Sequence, residues 1–171
     1  DTDLVRYIPE EVDRLNETLT CYLEFAKDAP MRLETVDLVR LVRRTLKLVD
    51  RDLRAAGVEV LDNLDAVGQL PLRADPRRLQ QVVLNLVLNA VQAMPEGGTL
   101  EVRLEPRGAH TALHVRDTGT GMDPARAEEI FEPFVTSKEK GSGLGLHVVQ
   151  RIVEGHGGRI ELETEPGRGS T

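Results

Sequence analysis

The sequence predicts an α+β fold, a two-layer α/β sandwich in which helices cover one face of a mixed β-sheet, with one additional N-terminal helix. Three observations predict this class. Four long segments repeat apolar residues at a helical period, several short segments alternate apolar and polar residues, and both kinds are mixed along the chain. The length of 171 residues suits one domain with an appendage.

The first segment, residues 1–29, has the rhythm of a helix that packs in a bundle or coiled coil. Proline at position 30 is expected to end it, because proline disfavours helix at the preceding residue. A helix that packs only on its own domain is the alternative. The apolar seam of this helix persists for three heptads, which favours a bundle helix. The seam residues alternate in steps of three and four: Val5, Ile8, Val12, Leu15, Leu19, Tyr22 and Ala26.

Residues 30–171 are expected to form one domain, whose elements are assigned from hydrophobic period and from the residues at their ends. Asp75-Pro76 and Asp123-Pro124 each combine an N-cap residue with a proline at the first helical position. We predict helices over residues 37–55, 75–94, 123–130 and 145–154, strands over 58–64, 70–73, 99–105, 111–115 and 159–164, and a hairpin connection over 106–110.

Composition excludes several classes of protein. The 22 basic and 29 acidic residues give a net charge of −7, which argues against non-specific nucleic-acid binding. The single cysteine, Cys21, excludes an internal disulfide and any multi-cysteine metal site. No apolar run approaches the length of a membrane span. We therefore expect a cytoplasmic segment without membrane contact, cut from a longer protein whose membrane anchoring stays open.

The helix after Asp75 carries two asparagines, Asn85 and Asn89, on an otherwise apolar stripe. A spacing of four residues places both amides on one helix face. Such amides are costly to bury unless they are satisfied, and amide oxygens are suitable Mg²⁺ ligands. A pair of core or capping asparagines is the alternative, which this motif alone does not exclude.

The segment Asp117-Thr118-Gly119-Thr120-Gly121 directly follows a predicted strand. A carboxylate at a strand end can accept a hydrogen bond from the exocyclic amine of adenine, whereas guanine presents an acceptor oxygen there. Gly119 and Gly121 are interpreted as removing side chains where the backbone passes close to the ring. An ordinary Asp-Thr-Gly turn is the alternative.

Two further motifs precede the last predicted helix. Phe131 and Phe134 are expected to hold the base of a mobile loop, in which Lys138 is placed to neutralise phosphate charge. The run Gly141-Ser142-Gly143-Leu144-Gly145 opens the helix, where backbone amides reached through glycines form an anion site. A solvated lysine and a flexible hinge are the respective alternatives.

The ordered set Asn-x₃-Asn-Ala, Asp-x-Gly-x-Gly, Phe-x-Pro-Phe and Gly-x-Gly-Leu-Gly-Leu resembles the N, G1, F and G2 boxes of sensor histidine kinases. These kinases belong to a wider superfamily that includes Hsp90, gyrase and MutL. Residues 167–171 resemble the start of the last glycine box, and the short loop resembles the nitrogen-regulator type. The resemblance implies an ATP-binding catalytic domain over residues 30–171 and the second helix of a dimerisation hairpin over residues 1–29.

The same resemblance implies the ligands, ATP and Mg²⁺, and their residues. Asn89 would ligate Mg²⁺, and Asn85 would assist at the metal or the phosphates. Asp117 would bind adenine, while Gly119 and Gly121 shape the pocket. The phosphates would be held through the loop by Lys138, Gly143, Leu144 and Gly145.

The resemblance also separates kinase from hydrolase. ATPases of the superfamily carry a water-activating glutamate four residues before the magnesium asparagine, and this chain has Asn85 there, which is no general base at neutral pH. None of its histidines is followed by an acid, as an acceptor would be: His110, His114, His147 and His156. We therefore expect no catalytic residue within the chain itself.

The resemblance implies that the chain donates phosphate to a histidine on a separate helix. The implied partners are a response-regulator receiver domain and a second copy, bound through the N-terminal helix. The alternative is a non-catalytic nucleotide-binding switch, such as an anti-sigma-like regulator or a degenerate kinase. A dehydrogenase-kinase relative fits the short loop and the heptad segment poorly.

Overall fold

The computed structural model describes residues 30–108, 110–127, 129–136 and 143–171. The helix predicted over residues 1–29 lies outside them. Two short 3₁₀ turns, Pro124–Arg126 and Glu129–Phe131, precede the last helix. The other elements in these ranges are, in chain order, β1 (Glu34–Asp37), α1 (Leu38–Ala55), β2 (Val58–Asp62), α2 (Leu64–Val67), β3 (Pro71–Ala74), α3 (Pro76–Ala93), β4 (Gly98–Arg107), β5 (His110–Asp117), α4 (Gly145–Gly155), β6 (Thr164–Glu165) and β7 (Gly169–Ser170).

The main sheet has the strand order β2-β4-β5-β7-β6. Strand β2 runs parallel to β4, and the pairs β4–β5, β5–β7 and β6–β7 are antiparallel, so the sheet is mixed. Strands β1 and β3 form a separate antiparallel pair. This order brings the end of β5 against the C-terminal hairpin β6–β7.

The core lies between one face of this sheet and the helices. Leu100, Val102 and Leu104 alternate along β4 and are at most 1% exposed, whereas Arg103 between them is exposed. The three buried side chains pack with apolar residues of α1 and α3. One covered and one solvated face is what the alternating pattern predicts, and the two-layer α+β sandwich is confirmed.

Helix α3 begins as predicted, with Asp75 as N-cap and Pro76 at the first position. Asp75 Oδ1 accepts from the N–H groups of Arg77 and Arg78 at 3.1 and 3.3 Å, and Oδ2 accepts from Arg32 N at 3.0 Å. Burial by itself raises the pKa of this carboxyl, but the backbone donors and the charge of Arg78 outweigh it. The pKa of Asp75 is therefore lowered from its ordinary value.

Replacement of Asp75 by alanine is expected to lower the free energy of unfolding by about 1–2 kcal/mol at pH 7. A lowered pKa in the folded state contributes stability above the unfolded value of about 3.9, and this contribution is lost as the pH falls through the folded pKa. The difference in free energy of unfolding between wild type and variant, measured by urea denaturation, should therefore become smaller below about pH 4. Asp123→Ala, which removes an exposed cap, is the control. A difference in free energy of unfolding between wild type and Asp75→Ala that does not change with pH would contradict the prediction.

Strand β2 ends at Asp62, two residues before the predicted end. At the next residue, Asn63, the side chain bonds to β4 in place of the backbone. The Asn63 side chain donates to Leu104 O and accepts from Leu104 N, both at 2.9 Å. The chain then turns into the short helix α2, whose Leu64 is buried. The prediction of a strand through Leu64 was wrong, since an asparagine that mimics backbone groups can terminate a strand.

The β4–β5 hairpin is longer than predicted. Pro106 pairs with Thr111 and Arg107 with His110, so residues 106, 107 and 110 lie in strands. Proline, which has no N–H to donate, is tolerated there because the pairing of β2 with β4 stops at Val102. Among the strands that the structure describes, none on that side needs a hydrogen bond from residue 106.

Two other assignments were wrong in kind. The helix predicted over residues 123–130 is replaced by the two 3₁₀ turns. The last strand begins only at Thr164, preceded by Glu163, which still exchanges two backbone hydrogen bonds with Thr171, while residues 159–162 are irregular. The apolar Ile160 that indicated a strand instead packs against the cluster that Val82 of α3 forms with Val149 and Ile152 of α4. Its burial comes from a helix contact, which a period-two pattern does not distinguish from a sheet contact.

Candidate functional site

Helices α3 and α4 lie side by side and carry three of the predicted site residues, Asn85, Asn89 and Gly145. Val82 of α3 packs with Val149 and Ile152 of α4, all at most 5% exposed. Asn85 and Asn89 are half-buried next to this contact. The sequence thus folds the apolar stripe of α3 against α4 and brings its two amides to the edge of the helix pair.

The two amides face the first residue of α4. Asn85 Nδ2 donates to Gly145 O at 3.2 Å. A Cβ on Gly145 would lie 3.9 Å from Asn89 Nδ2. The structure therefore brings together Asn85, Asn89 and Gly145, as predicted. With its nitrogen bonded to the protein, Asn85 keeps an amide oxygen, which is the kind of ligand that Mg²⁺ prefers.

Asp117 lies at the end of β5, where the sequence predicts it, and is 7% exposed. Its Oδ1 accepts from Gly119 N at 2.8 Å. Further along the same loop, Thr120 donates its N–H to Ala93 O at 2.9 Å. Ala93 ends α3, so the loop after Asp117 is attached to the helix that carries the two asparagines.

Gly119 and Gly121 are required by protein contacts, which differs from their interpretation above. A Cβ on Gly119 would lie 2.4 Å from Ala93 O. A Cβ on Gly121, whose φ is +59°, would lie 2.0 Å from Glu165 O. Close approach of the protein's own backbone therefore explains both glycines, and their contact with a ligand stays a prediction.

The hairpin β6–β7 supports this loop through residues absent from the predicted site. Gly167 N donates to Thr120 O at 2.7 Å, and Met122 N donates to Thr164 Oγ1 at 3.0 Å. A Cβ on Gly169 would lie 1.9 Å from Asp117 O. The spacing Gly-x-Gly near the chain end was the available signal, but a local pattern does not show that this segment returns to Asp117.

Before α4, the backbones of Phe134 and Gly143 are in direct contact. Phe134 N donates to Gly143 O at 3.1 Å, and a Cβ on Gly143 would lie 2.5 Å from Phe134 C. Phe134 is 68% exposed and has a φ of +68°, so it does not hold the loop by burial, in contrast to the expectation above. Lys138 lies outside the described residues, as do its neighbours in 137–142.

The start of α4 has the character of an anion site. Leu144 is the N-cap, is 7% exposed and supplies no side-chain oxygen to cap the first turn. The first turn of an α-helix carries N–H donors and a partial positive charge. Asn85 and Asn89 lie beside this turn, so phosphate oxygens and a cation that binds them fit the chemistry of the donor set.

A separate open cavity of about 710 Å³ lies on the other side of α4, between this helix and the 3₁₀ turns. None of the predicted site residues that the structure describes is part of its lining, so it is not the site described above. Its walls are Pro124, Ala127, Phe131, Glu132, Pro133, His147, Gln150 and Leu162.

An α/β sandwich in which paired amides lie beside a glycine-bounded helix start fits a nucleotide-binding domain, by the chemistry of these groups. The model of the histidine kinase-, DNA gyrase B- and HSP90-like ATPase family matches residues 74–171, more than half of the chain. The chain belongs to this family, and the match runs from the last residue of β3 through β7.

Relatives of the chain include sensor histidine kinases. The chain is 40% identical over 169 residues to the sensor histidine kinase ZraS of Escherichia coli K12, which covers 98% of the chain and 36% of ZraS. It thus spans about a third of that relative. In the part of the chain that the structure describes, no helix is both long and apolar enough to span a membrane.

Solved structures agree with this assignment. Full-length ShkA in complex with AMPPNP matches with a TM-score of 0.83 and 29% identity, over 98% of this chain and 36% of that one. Histidine kinase ThkA in complex with response regulator protein TrrA matches with a TM-score of 0.80 and 27% identity. The match covers 95% of this chain and 47% of that one. The roles of individual site residues stay predictions.

Proposed function

We propose that this chain binds ATP with Mg²⁺ and donates the γ-phosphoryl group to a histidine on a separate helix of a two-component sensor kinase. The observation that carries the proposal is the meeting of the Asn85 and Asn89 amides with the start of α4. The family match and the kinases among the relatives support it. The AMPPNP bound to ShkA supports a nucleotide ligand.

The residues have the following proposed roles. Asn89 and Asn85 hold Mg²⁺, which neutralises phosphate charge when it is bound. Asp117 accepts from the adenine amine, with Gly119 and Gly121 at the wall of the pocket. The phosphates are bound by Lys138 and by the backbone of Gly143, Leu144 and Gly145. Transfer of this kind depends mainly on positioning and charge neutralisation.

The environment of Asn85 favours transfer over hydrolysis. A general base that activates water must accept a proton, and an amide does not at neutral pH. The Asn85 amide nitrogen is also bonded to Gly145 O, which holds the side chain toward α4. In this proposal the side chain positions the metal or phosphates and leaves water unactivated, so the phosphoryl group passes to an external acceptor.

We assign no acceptor role to the four histidines of the chain. His114 Nε2 lies 3.3 Å from Glu105 on the open face of the sheet, and His147 Nδ1 lies 3.0 Å from Phe131 O. His156 bonds to two backbone groups, and His110 is exposed at the hairpin. We propose that the acceptor belongs to a dimerisation hairpin whose second helix is residues 1–29, in a cytoplasmic homodimer.

A response-regulator receiver domain is the proposed final acceptor. The solved complex of ThkA with TrrA supports this class of partner. The chain's net charge of −7 gives no support to a nucleic-acid partner. Relatives that are named kinases favour this proposal over a switch without catalysis.

The transfer experiment tests the proposal. The 171-residue chain is incubated with radiolabelled ATP and Mg²⁺, alone and with a helical hairpin that carries the acceptor histidine. We expect acid-labile phosphate on the hairpin only, and none with Asn89→Ala. Phosphohistidine on the chain alone, or steady ATP hydrolysis without transfer, would contradict the proposal.

A further inference from the structure

His156, just after α4, bonds to two backbone groups of different elements. Its Nε2 accepts from Asp75 N at 3.0 Å, and its Nδ1 donates to Ile152 O at 2.7 Å. A backbone N–H only donates and a carbonyl only accepts, so the two contacts define one neutral tautomer, with the hydrogen on Nδ1. A half-buried histidine thereby joins the end of α4 to the start of α3.

This joint lies at one end of the helix pair, and the nucleotide residues lie at the other. Asp75 and Asn85 are ten residues apart on α3, about 15 Å along its axis. Asp75 contacts the end of α4 through His156, while Asn85 contacts its beginning through Gly145. Two fixed points determine how α4 lies along α3, and therefore where its first turn lies relative to the asparagines.

The chain that enters the domain is attached to the same joint. Arg32 N donates to Asp75 Oδ2 at 3.0 Å, and Met31 Cε lies 3.4 Å from where a Cβ on Gly155 would be. Arg78 Nε lies 3.9 Å from Asp75 Oδ2, and Glu154 precedes His156 by two residues at the end of α4. Residues 31–32 thus touch the ends of both helices that carry the site.

We propose that His156 is a positioning residue for the nucleotide site. Residues 31–32, through the same joint, influence where the first turn of α4 lies relative to Asn85 and Asn89. The inference rests on the proposed nucleotide site. Loss of the imidazole lets the end of α4 shift on α3, and a rigid helix carries that shift to Gly145. The upstream segment acts on the same helix, because Asp75 is its shared anchor.

Calorimetry with Mg²⁺ and AMPPNP tests the positioning role on the full chain. His156→Ala is expected to weaken binding about tenfold, the scale of one buried donor left without its acceptor. His156→Gln, whose amide oxygen can accept from Asp75 N, is expected to recover most of the affinity. His110→Ala, at an exposed histidine, is expected to change nothing.

A second control separates position from stability. Asn63→Ala also removes a side chain that bridges two backbone groups, but at Leu104, away from α4. It is expected to lower the melting temperature and leave the affinity unchanged. If His156→Ala behaves in the same way at a temperature where it is folded, the positioning role is refuted.

The wild-type chain provides a readout that does not depend on any variant. Long-range ¹H–¹⁵N spectra at about pH 8, above the ordinary histidine pKa, are expected to show His156 as the Nδ1–H tautomer, and an Nε2–H tautomer would overturn the inference. Wild type that binds no nucleotide would overturn the proposed function and this inference with it. Nucleotide binding that is normal in wild type and unchanged in both His156 variants would overturn the inference alone.

Discussion

Gly169→Ala is expected to lower the free energy of unfolding by about 2–5 kcal/mol, the sum of an overpacked contact and a strained backbone. The added Cβ would lie 1.9 Å from Asp117 O, and φ is +89°. The atom that it meets belongs to the backbone and not to a flexible side chain, so relief requires that β7 move away from β5. Urea denaturation at neutral pH measures the change.

Gly167→Ala is the matched control for this variant. Gly167 lies in the same hairpin and has a φ of +76°, but a Cβ added to it would meet no other atom within 4 Å. Only the cost of a left-handed conformation, about 1–2 kcal/mol, is expected there. Equal destabilisation by the two variants would contradict the role of the Gly169–Asp117 contact.

The expected effect extends from stability to the site. Asp117 pairs with Ser170 in the sheet, and the loop that follows is held by Thr164 and Gly167. A displaced β7 therefore moves the carboxylate and its loop together. The C-terminal hairpin thus supports one wall of the site, although it contributes no residue to the predicted set.

Helix starts were predictable from sequence because capping is local. Asp37 accepts from Val39 N and Asp75 from Arg77 N, each two residues ahead. The spacing of Asn85 and Asn89 likewise sets a shared face without reference to other elements. These local rules were sufficient for the fold class, for α1 and α3, and for the grouping of the two amides.

Strand ends and the reasons for glycines were not predictable, because they depend on distant neighbours. Pro106 stays in β4 only because β2 has already ended, and β2 ends where Asn63 bonds to Leu104. Gly121 is required by the carbonyl of Glu165, which is far away in sequence. A local pattern marks such positions as special but does not identify the atom that approaches.

Asp117→Asn is expected to weaken ATP binding about 100-fold, the scale of a lost hydrogen bond to a charged acceptor. Oδ1 accepts from Gly119 N at 2.8 Å, so an asparagine keeps its oxygen there and turns its amino group toward the position of the other carboxylate oxygen. A donor then faces the adenine amine. Guanine presents an acceptor oxygen at this position, so GTP binding should improve relative to ATP.

Calorimetry with ATP and GTP on wild type and variants separates recognition from structure. Wild type is expected to prefer ATP. Asp117→Ala loses the bond to Gly119 as well as the recognition group, so it should weaken both nucleotides. Asp123→Asn is the matched control, because Asp123 Oδ1 also accepts from the N–H two residues ahead but lies outside the site. An unchanged ratio of ATP affinity to GTP affinity in Asp117→Asn would show that the carboxylate does not recognise adenine. The substitution changes the charge and the donors of this side chain but preserves its shape and its bond to the loop.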